Sequence, residues 1–589
     1  MTPSDSKQPS SLQKLLSYLK PHWKKVTLGI GALFIVNGIS AYLPLLISGA
    51  IDQFQTSFEF SEVQQDVLVL LALSTLMWAI RMGSRVLLFG AGRQVEFDLK
   101  QRIFDHLLQL EPAYFAVNTP GDLINRATSD VDNIRRLVGF AVLSIANTAF
   151  AYVITLPLML GIDPVLSLLS IAVYPFIMLV VKVFSQRLRD EQSAVQTSLS
   201  NLSDLIQEDM SGISLIKIYA QEENEHRAFG EFNHSLLQAN LKLALTQNTL
   251  FPFLGGVASI SLLVLLSLGS RAIASGTISV GDFVALLLYV ERLIFPTAIL
   301  GFTITAYQRG IVSLDRIEAI LSVQPAISDK NAVVAANSLD LQGAIRAQDL
   351  SLRYPGADQE ALKQVSFQIK PGQMVAIVGP VGSGKTTLAN CIPRLLDVPP
   401  GQLWIDDYDV TQLPLEALRT AIAYVPQDSF LFSASIKNNI RYGDPVADLA
   451  AVQGAAQQAK IHEEILNFPK QYETPVGERG ITLSGGQRQR SALARALMTD
   501  APILILDDAL ASVDNQTATF ILEQLAHTDR RKTVIFISHQ LSAAAIADQI
   551  LVMDHGKLVQ SGTHRQLLQT PGLYRHLWSQ QQLEAQLKG

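Results

Sequence analysis

Six mostly apolar stretches dominate the first half of the chain: Val26–Ala50, Val67–Ala91, Leu137–Leu160, Pro164–Phe184, Leu250–Leu268 and Val280–Ala306. Crossing roughly 30 Å of hydrocarbon takes about 20 such residues. Lipid offers backbone groups no partners, so each stretch is expected to be a helix. After about Gln342 the pattern shortens to β-branched or apolar runs at Ala344–Leu352, Val365–Ile369, Met374–Val378, Ala421–Val425, Ile503–Leu506 and Thr533–Ile537. Apolar runs that end in polar or acidic residues predict buried parallel strands. The fold expected is multidomain, an all-α six-helix transmembrane domain followed by an α/β domain.

The polar stretches between spans set the orientation. The N-terminal tail (Lys14, Lys20, Lys24, Lys25), the connection from Gly92 to Arg136 and the connection from Lys182 to Lys242 carry most of the Lys and Arg. That side is expected to be cytoplasmic by the positive-inside rule, with both termini on it. The opposite loops are short and carry Asp52, Glu59, Glu62 and Asp163, with Arg271 the basic exception. The two long connections keep amphipathic spacing over many turns, so their helices should continue beyond the bilayer. Each is broken once, at Asn118–Leu123 and at Ser211–Ser214, which suits a short transverse segment.

Within the spans, Arg81, Arg85, Glu291 and Arg292 are costly at membrane depth and should pair or face a cavity and its solute. Pro252 and Pro296 are expected to kink their helices. The boundaries expected are a cytoplasmic tail over residues 1–25, a membrane domain over 26–310, a polar linker over 311–343 and a soluble domain over 344–589.

Composition sharpens this picture in three respects. Only 17% of residues are charged, below the roughly 25% usual for soluble proteins, and the deficit lies in the first half. A net charge of −6 without a long basic tract gives nucleic acid no footing. The single cysteine, Cys391, excludes an intramolecular disulfide framework and reads as core packing. Met1–Gln13 lacks an apolar core followed by a small-residue cleavage site and reads as a tail.

The chemistry gathers in the soluble half. Residues 379–387 read GPVGSGKTT between a strand and a helix, matching G-x-x-x-x-G-K-[ST] at Gly379, Gly384, Lys385 and Thr386. Such glycines let backbone N–H groups wrap a polyphosphate. Lys385 is expected at its β- and γ-phosphates and the Thr386 hydroxyl on Mg²⁺. The strand ending at Asp507 offers a second Mg²⁺ ligand, and Gln427 an amide able to reach the metal or attacking water. Tyr354 is placed to stack on a base, though a core or turn tyrosine is the plain alternative. His539 follows another strand and is placed to sense the γ-phosphate, or else to cap or pack. LSGGQRQR at Leu483–Arg490 opens a helix with Ser484, Gly485 and Gly486, again a hydroxyl and open N–H groups suited to an anion.

Together these motifs resemble the ATP-binding-cassette half-transporters of the exporter architecture, over about Ser11 to Leu577. The resemblance implies an ABC nucleotide-binding domain and ATP with Mg²⁺ as ligands. Tyr354 would stack on adenine. Gly379, Pro380, Val381, Gly382, Ser383, Gly384, Lys385, Thr386 and Thr387 would form the Walker A loop. Gln427 would be the Q-loop, Ser484, Gly485, Gly486 and Gln487 the signature, and Asp507 the Walker B aspartate. Asp514 would close the D-loop, and His539 would be the switch histidine. PVGERG at Pro475–Gly480 looks like the loop that touches the intracellular helices, and Gly121–Leu123 and Gly212–Lys217 fall at the coupling segments. Such proteins work as two halves in a bilayer, each ATP lying between one half's Walker loop and the other's signature, to move amphipathic small molecules. A bacterial inner membrane location follows from the same resemblance.

One position departs from the family pattern. After the Walker B aspartate the family usually carries glutamate, and this chain carries Asp508. One methylene fewer draws the carboxylate back by about a bond length, an error general-base geometry tolerates poorly. The expectation is slow hydrolysis at this chain's own site, with Asp508, His539 and Gln427 as its catalytic set. The chain would then be the degenerate-site subunit of a heterodimeric multidrug exporter, with the second half-transporter supplying the competent glutamate. A homodimeric exporter, or an importer of a metal chelate on the same architecture, stays open at this point.

Overall fold

The computed structural model describes residues 11–56, 60–333, 339–354, 356–477, 480–511, 513, 515–526 and 532–588. The chain divides into two compact units. One holds residues up to 108 with 120–323, and the other holds 109–119 with 324–589.

The described residues of the first unit form helices joined by short turns. Six helices long and apolar enough to cross a membrane contain the six apolar stretches. They outrun the bilayer, as their amphipathic extensions predict: Glu222–Ala274 has 53 residues, about 80 Å at 1.5 Å per residue. The second, Phe60–Leu107, turns apolar side chains such as Leu68, Trp78 and Val86 outward, a face that hydrocarbon covers without cost. Pro252 and Pro296 lie within continuous helices.

The sixth helix, Val280–Leu321, begins at a capping box in which Ser279 Oγ accepts from the Asp282 N–H at 2.8 Å. It continues past the expected start of the linker. Leu314, Ile317 and Ile320 repeat every third residue and are buried, so packing carries the helix through a stretch whose charge and polarity suggested loop. In the first long connection the separate short helix is Pro112–Val117. Gly121–Leu123 instead lie in the next helix, which starts at Pro120, because proline at a helix start ends the preceding segment and favours the new one. In the second connection Ile213–Tyr219 forms the short helix expected there, closed by Ala220 at φ +50°.

The intramembrane charges are not neutralised by one another. Arg292 donates to the Asn37 carbonyl at 2.8 Å and to Asn37 Oδ1 at 3.2 Å, and Asn37 Nδ2 donates to Asn147 Oδ1 at 3.1 Å. Arg81 contacts the Met77 sulfur at 3.5 Å, while Arg85 and Glu291 are exposed. At Arg292, the backbone carbonyl and side-chain amide of Asn37, itself held by Asn147, therefore do what an opposite charge was expected to do.

The second unit is built on two sheets. Strands β1 (Ile345–Leu352), β2 (Leu362–Ile369), β4 (Leu403–Ile405) and β5 (Tyr408–Asp409) form an antiparallel sheet in the order β2-β1-β4-β5. The larger sheet joins β3 (Met374–Val378), β6 (Ile422–Val425), β7 (Ile503–Asp507), β8 (Thr533–Ile537), β9 (Gln549–Asp554) and β10 (Lys557–Gly562). Its order is β10-β9-β3-β8-β7-β6, parallel except for the β9–β10 hairpin. Both faces are covered. Ala376, Val378, Leu504, Leu506, Val534 and Phe536 belong to one core, and Val375, Ile377, Ile503, Ile505, Ile535 and Ile537 to the other. This two-sided burial is why the strands read as unbroken apolar runs. Cys391 lies in the second core, where burial pushes its thiol up to about 12 and leaves it inert.

Candidate functional site

Three neighbouring strands of the larger sheet end at one level, and this alignment positions the site. Ile377 on β3 lies opposite Ile537 on β8, and Ile537 lies opposite Asp507 on β7. The segments leaving these ends, 379–387, 508 onward and 538–539, therefore lie side by side along the C-terminal edge of a parallel sheet, where such folds place their ligands.

The loop after β3 needs its glycines for two separate reasons. Gly379 at φ +150° and Gly384 at φ +95° occupy backbone conformations that side chains rarely adopt. A Cβ at Gly379 would stand 2.1 Å from the Met553 carbonyl oxygen, and one at Gly384 would stand 2.9 Å from that of Ala361. The loop closes around the Lys385 ammonium, which donates to the carbonyls of Gly379 at 3.0 Å and Pro380 at 2.8 Å. Burial lowers the Lys385 pKa from its usual value, opposed by the charges of Asp508 and Asp507.

Asp507 ends β7 almost fully buried. Thr386 Oγ1 donates to its Oδ1 at 3.0 Å and the Tyr424 hydroxyl to its Oδ2 at 3.2 Å. Burial raises the pKa of this carboxyl, against the pull of those two hydrogen bonds. Asp508 follows at φ +49°, in the left-handed region where aspartate is among the better tolerated residues. Its N–H donates to the Ile537 carbonyl at 3.2 Å, and its Oδ2 lies 4.0 Å from His539 Nε2.

A crevice of about 360 Å³ collects Tyr354, Val381, Gly382, Ser383, Gly384, Lys385, Thr386, Thr387, Gln427, Asp507, Asp508 and His539. Gly379 and Pro380 line an adjoining hollow with Ser538 and His539. The Tyr354 hydroxyl lies 3.1 Å from Thr387 Oγ1, and the residue is exposed. Tyr354, Lys385, Thr386, Gln427, Asp507 and His539, singled out one at a time in the sequence, thus line one crevice.

Ser484, Gly485, Gly486 and Gln487 do not line that crevice. Ser484 caps the 13-residue helix Gly485–Leu497: its hydroxyl accepts from the Gln487 N–H at 3.3 Å, and the Gln487 side chain accepts from the Ser484 N–H at 3.0 Å. Gln487 also donates to Glu464 at 3.0 Å. Ser484 and Gly485 are exposed, so this helix start presents its N–H groups outward. Asp514 lies outside the described residues, as do Glu478 and Arg479 of the PVGERG run.

Sequence reasoning missed two contributors. Tyr424, the aromatic residue in an otherwise aliphatic strand, links Asn390 (2.8 Å) to Asp507. Burial, then the Asp507 charge, raises the pKa of its phenol, so it remains a donor. Gln581, on the C-terminal helix Leu573–Lys588, accepts from the Leu541 N–H at 2.8 Å and donates to the His539 carbonyl at 3.4 Å. It holds both sides of the loop that carries His539. Gln581→Ala is expected to speed amide exchange over residues 538–541 and to lower ATPase turnover about threefold, while Tm moves by under about 2 °C. An unchanged exchange rate there would remove the positioning role.

The comparisons with known proteins agree with this geometry. Residues 26–297 match the family described as ABC transporter transmembrane region, and residues 362–511 match the one described as ABC transporter. A probable multidrug resistance ABC transporter ATP-binding/permease protein of Bacillus subtilis, YheI, is 32% identical over 98% of both chains. The multidrug resistance-like ATP-binding protein MdlA of Escherichia coli is 32% identical over 97% of this chain and 96% of its own. The solved structure of a bacterial Atm1-family ABC exporter with ATP bound superposes with a TM-score of 0.74 at 25% identity, covering 95% of this chain and 98% of that one. The chain therefore belongs to the ABC transporter family, as a multi-pass exporter-type half-transporter coupled to an ATPase.

Proposed function

We propose that this half-transporter exports amphipathic small molecules from a bacterial cytoplasm, as one half of a heterodimer with two unequal ATP sites. The observation that carries the asymmetry is Asp508, a shortened carboxylate beside His539 in an otherwise complete phosphate crevice. The names of the relatives, multidrug transporters in two bacteria, support the substrate class.

The crevice fits magnesium-bound ATP. Its glycine cradle leaves no room for a Cβ at Gly379, and a hydroxyl and a carboxylate lie 3.0 Å apart at Thr386 and Asp507. These hard oxygens, with the exposed Gln427 amide, would hold Mg²⁺, which neutralises charge on the phosphates when bound. Lys385 exchanges the loop carbonyls for phosphate oxygens. Tyr354 offers its ring to the base. Tyr424 keeps Asp507 oriented. Asp508 is the group placed to polarise water, and His539 lies beside it. Ser484 and Gly485, turned out to solvent, serve the partner's site, and the partner's equivalent helix start covers this one.

The test is the ATPase rate and subunit mass of this chain in nanodiscs, alone and after co-expression with a second half-transporter, together with dye movement in vesicles of known orientation. Feeble hydrolysis alone, and ATP-driven outward dye movement by the mixed pair, are expected. Brisk turnover by a self-dimer would remove the heterodimer, and inward movement would favour the import reading.

A further inference from the structure

A second cavity, of about 540 Å³, lies wholly within the helical unit, between its third, fourth, fifth and sixth long helices. It sits where the apolar spans give way to their long extensions: Leu250 begins the fifth apolar stretch and Ala306 ends the sixth. Its charged lining is all of one sign. Arg136, Arg189 and Arg309 contribute to the wall, and no Asp or Glu does.

The three arginines differ in what already holds them. Arg136 is bound to Asp132, 2.7 Å away. Arg189 donates to a neutral acceptor, Thr305 Oγ1, at 2.9 Å. Arg309 has no hydrogen-bond or ion-pair partner among the described residues. Asp190 follows Arg189 directly but does not line the cavity, and Glu191, one residue further on, is engaged by Arg187 and Thr246. Two guanidinium charges are therefore left without counter-ions among the described residues. Leu188, Leu243 and Phe302 supply apolar wall in the same cavity. A ligand satisfying both features carries an anionic oxygen group suited to a guanidinium fork and an apolar body.

Resting on the export reading above, we infer that the cavity selects anionic amphiphiles as cargo, with Arg189 and Arg309 as the charge-reading residues.

The test uses two dyes that share an aromatic body, the anion anilinonaphthalenesulfonate and the uncharged N-phenylnaphthylamine, with the assembled transporter in phosphatidylcholine nanodiscs. Fluorescence above that of empty discs should give a Kd for the anion about tenfold below that of the neutral dye, equal to about 1.4 kcal/mol. The double variant Arg189→Gln/Arg309→Gln should erase this difference without moving the neutral dye's Kd. The Arg189→Lys/Arg309→Lys variant should retain most of it. Equal binding of both dyes by the native protein, or a preference that survives the glutamine variant, would overturn the assignment. A lipid headgroup is the other source of the same chemistry. If discs containing phosphatidylglycerol abolish the preference in the native protein, the arginines hold lipid and the cargo assignment fails. Arginine-dependent anion binding without ATP-driven movement of either dye in vesicles would sink the export reading and leave the anion site standing. Movement of the neutral dye without anion preference would do the reverse.

Discussion

Ser484→Ala is expected to lower the ATPase rate of the assembled pair by about two orders of magnitude, the usual loss when one preorganised donor to a developing oxyanion is removed. Asp508→Ala in the same complex should lower it less than about twofold. The argument rests on where each residue points. Ser484 caps an exposed helix start and does not face its own chain's crevice, so its hydroxyl and the following N–H groups are available to a nucleotide held by another chain. Asp508 faces its own chain's crevice, the one that the proposed asymmetry makes slow. Ser484→Ala also removes a helix cap, worth about 1 kcal/mol, so Tm must be measured beside the rate. Equal losses from the two substitutions would show that both sites turn over, and the asymmetric reading would fall.

The second large effect runs in the opposite direction. Asp508→Glu should raise hydrolysis at this chain's own site by about 10²-fold, the lower end of what a well-placed general base contributes. The native carboxylate lies 4.0 Å from His539 Nε2, beyond a hydrogen bond, and an added methylene extends its reach into the crevice by about a bond length. The residue sits at φ +49°, and glutamate tolerates that conformation less well than aspartate, a cost of about 1 kcal/mol in stability. The variant should therefore be faster and slightly less stable. The measurement is single-turnover hydrolysis with the partner's competent site disabled. An unchanged rate would mean that carboxylate reach does not limit this site.

Much of this site is readable before folding, because its motifs are local. The Walker loop's Gly379, Gly384 and Lys385 follow directly on β3, and each of Asp507 and His539 closes or follows an apolar run that could only be a buried strand. The contributors that escaped are those whose role is defined across the chain. Tyr424 reaches Asp507 across 83 positions, and Gln581 reaches the His539 carbonyl across 42. Neither belongs to a local pattern. The short strands β4 and β5 escaped for a related reason: three and two residues carry too little periodicity to read.

The sequence by itself determined that six helices suit a bilayer, that a two-sided sheet follows them and that a phosphate loop precedes a strand-end aspartate. Hydropathy over about 20 residues and glycine spacing within one loop are properties of contiguous chain. The tertiary structure alone decided which charges meet. It set Arg292 against Asn37 in place of a carboxylate, aligned the ends of β3, β8 and β7, turned Ser484 away from its own crevice and left Arg309 without a counter-ion among the described residues. Those outcomes depend on strand order and helix packing, and so on contacts between residues far apart in the chain.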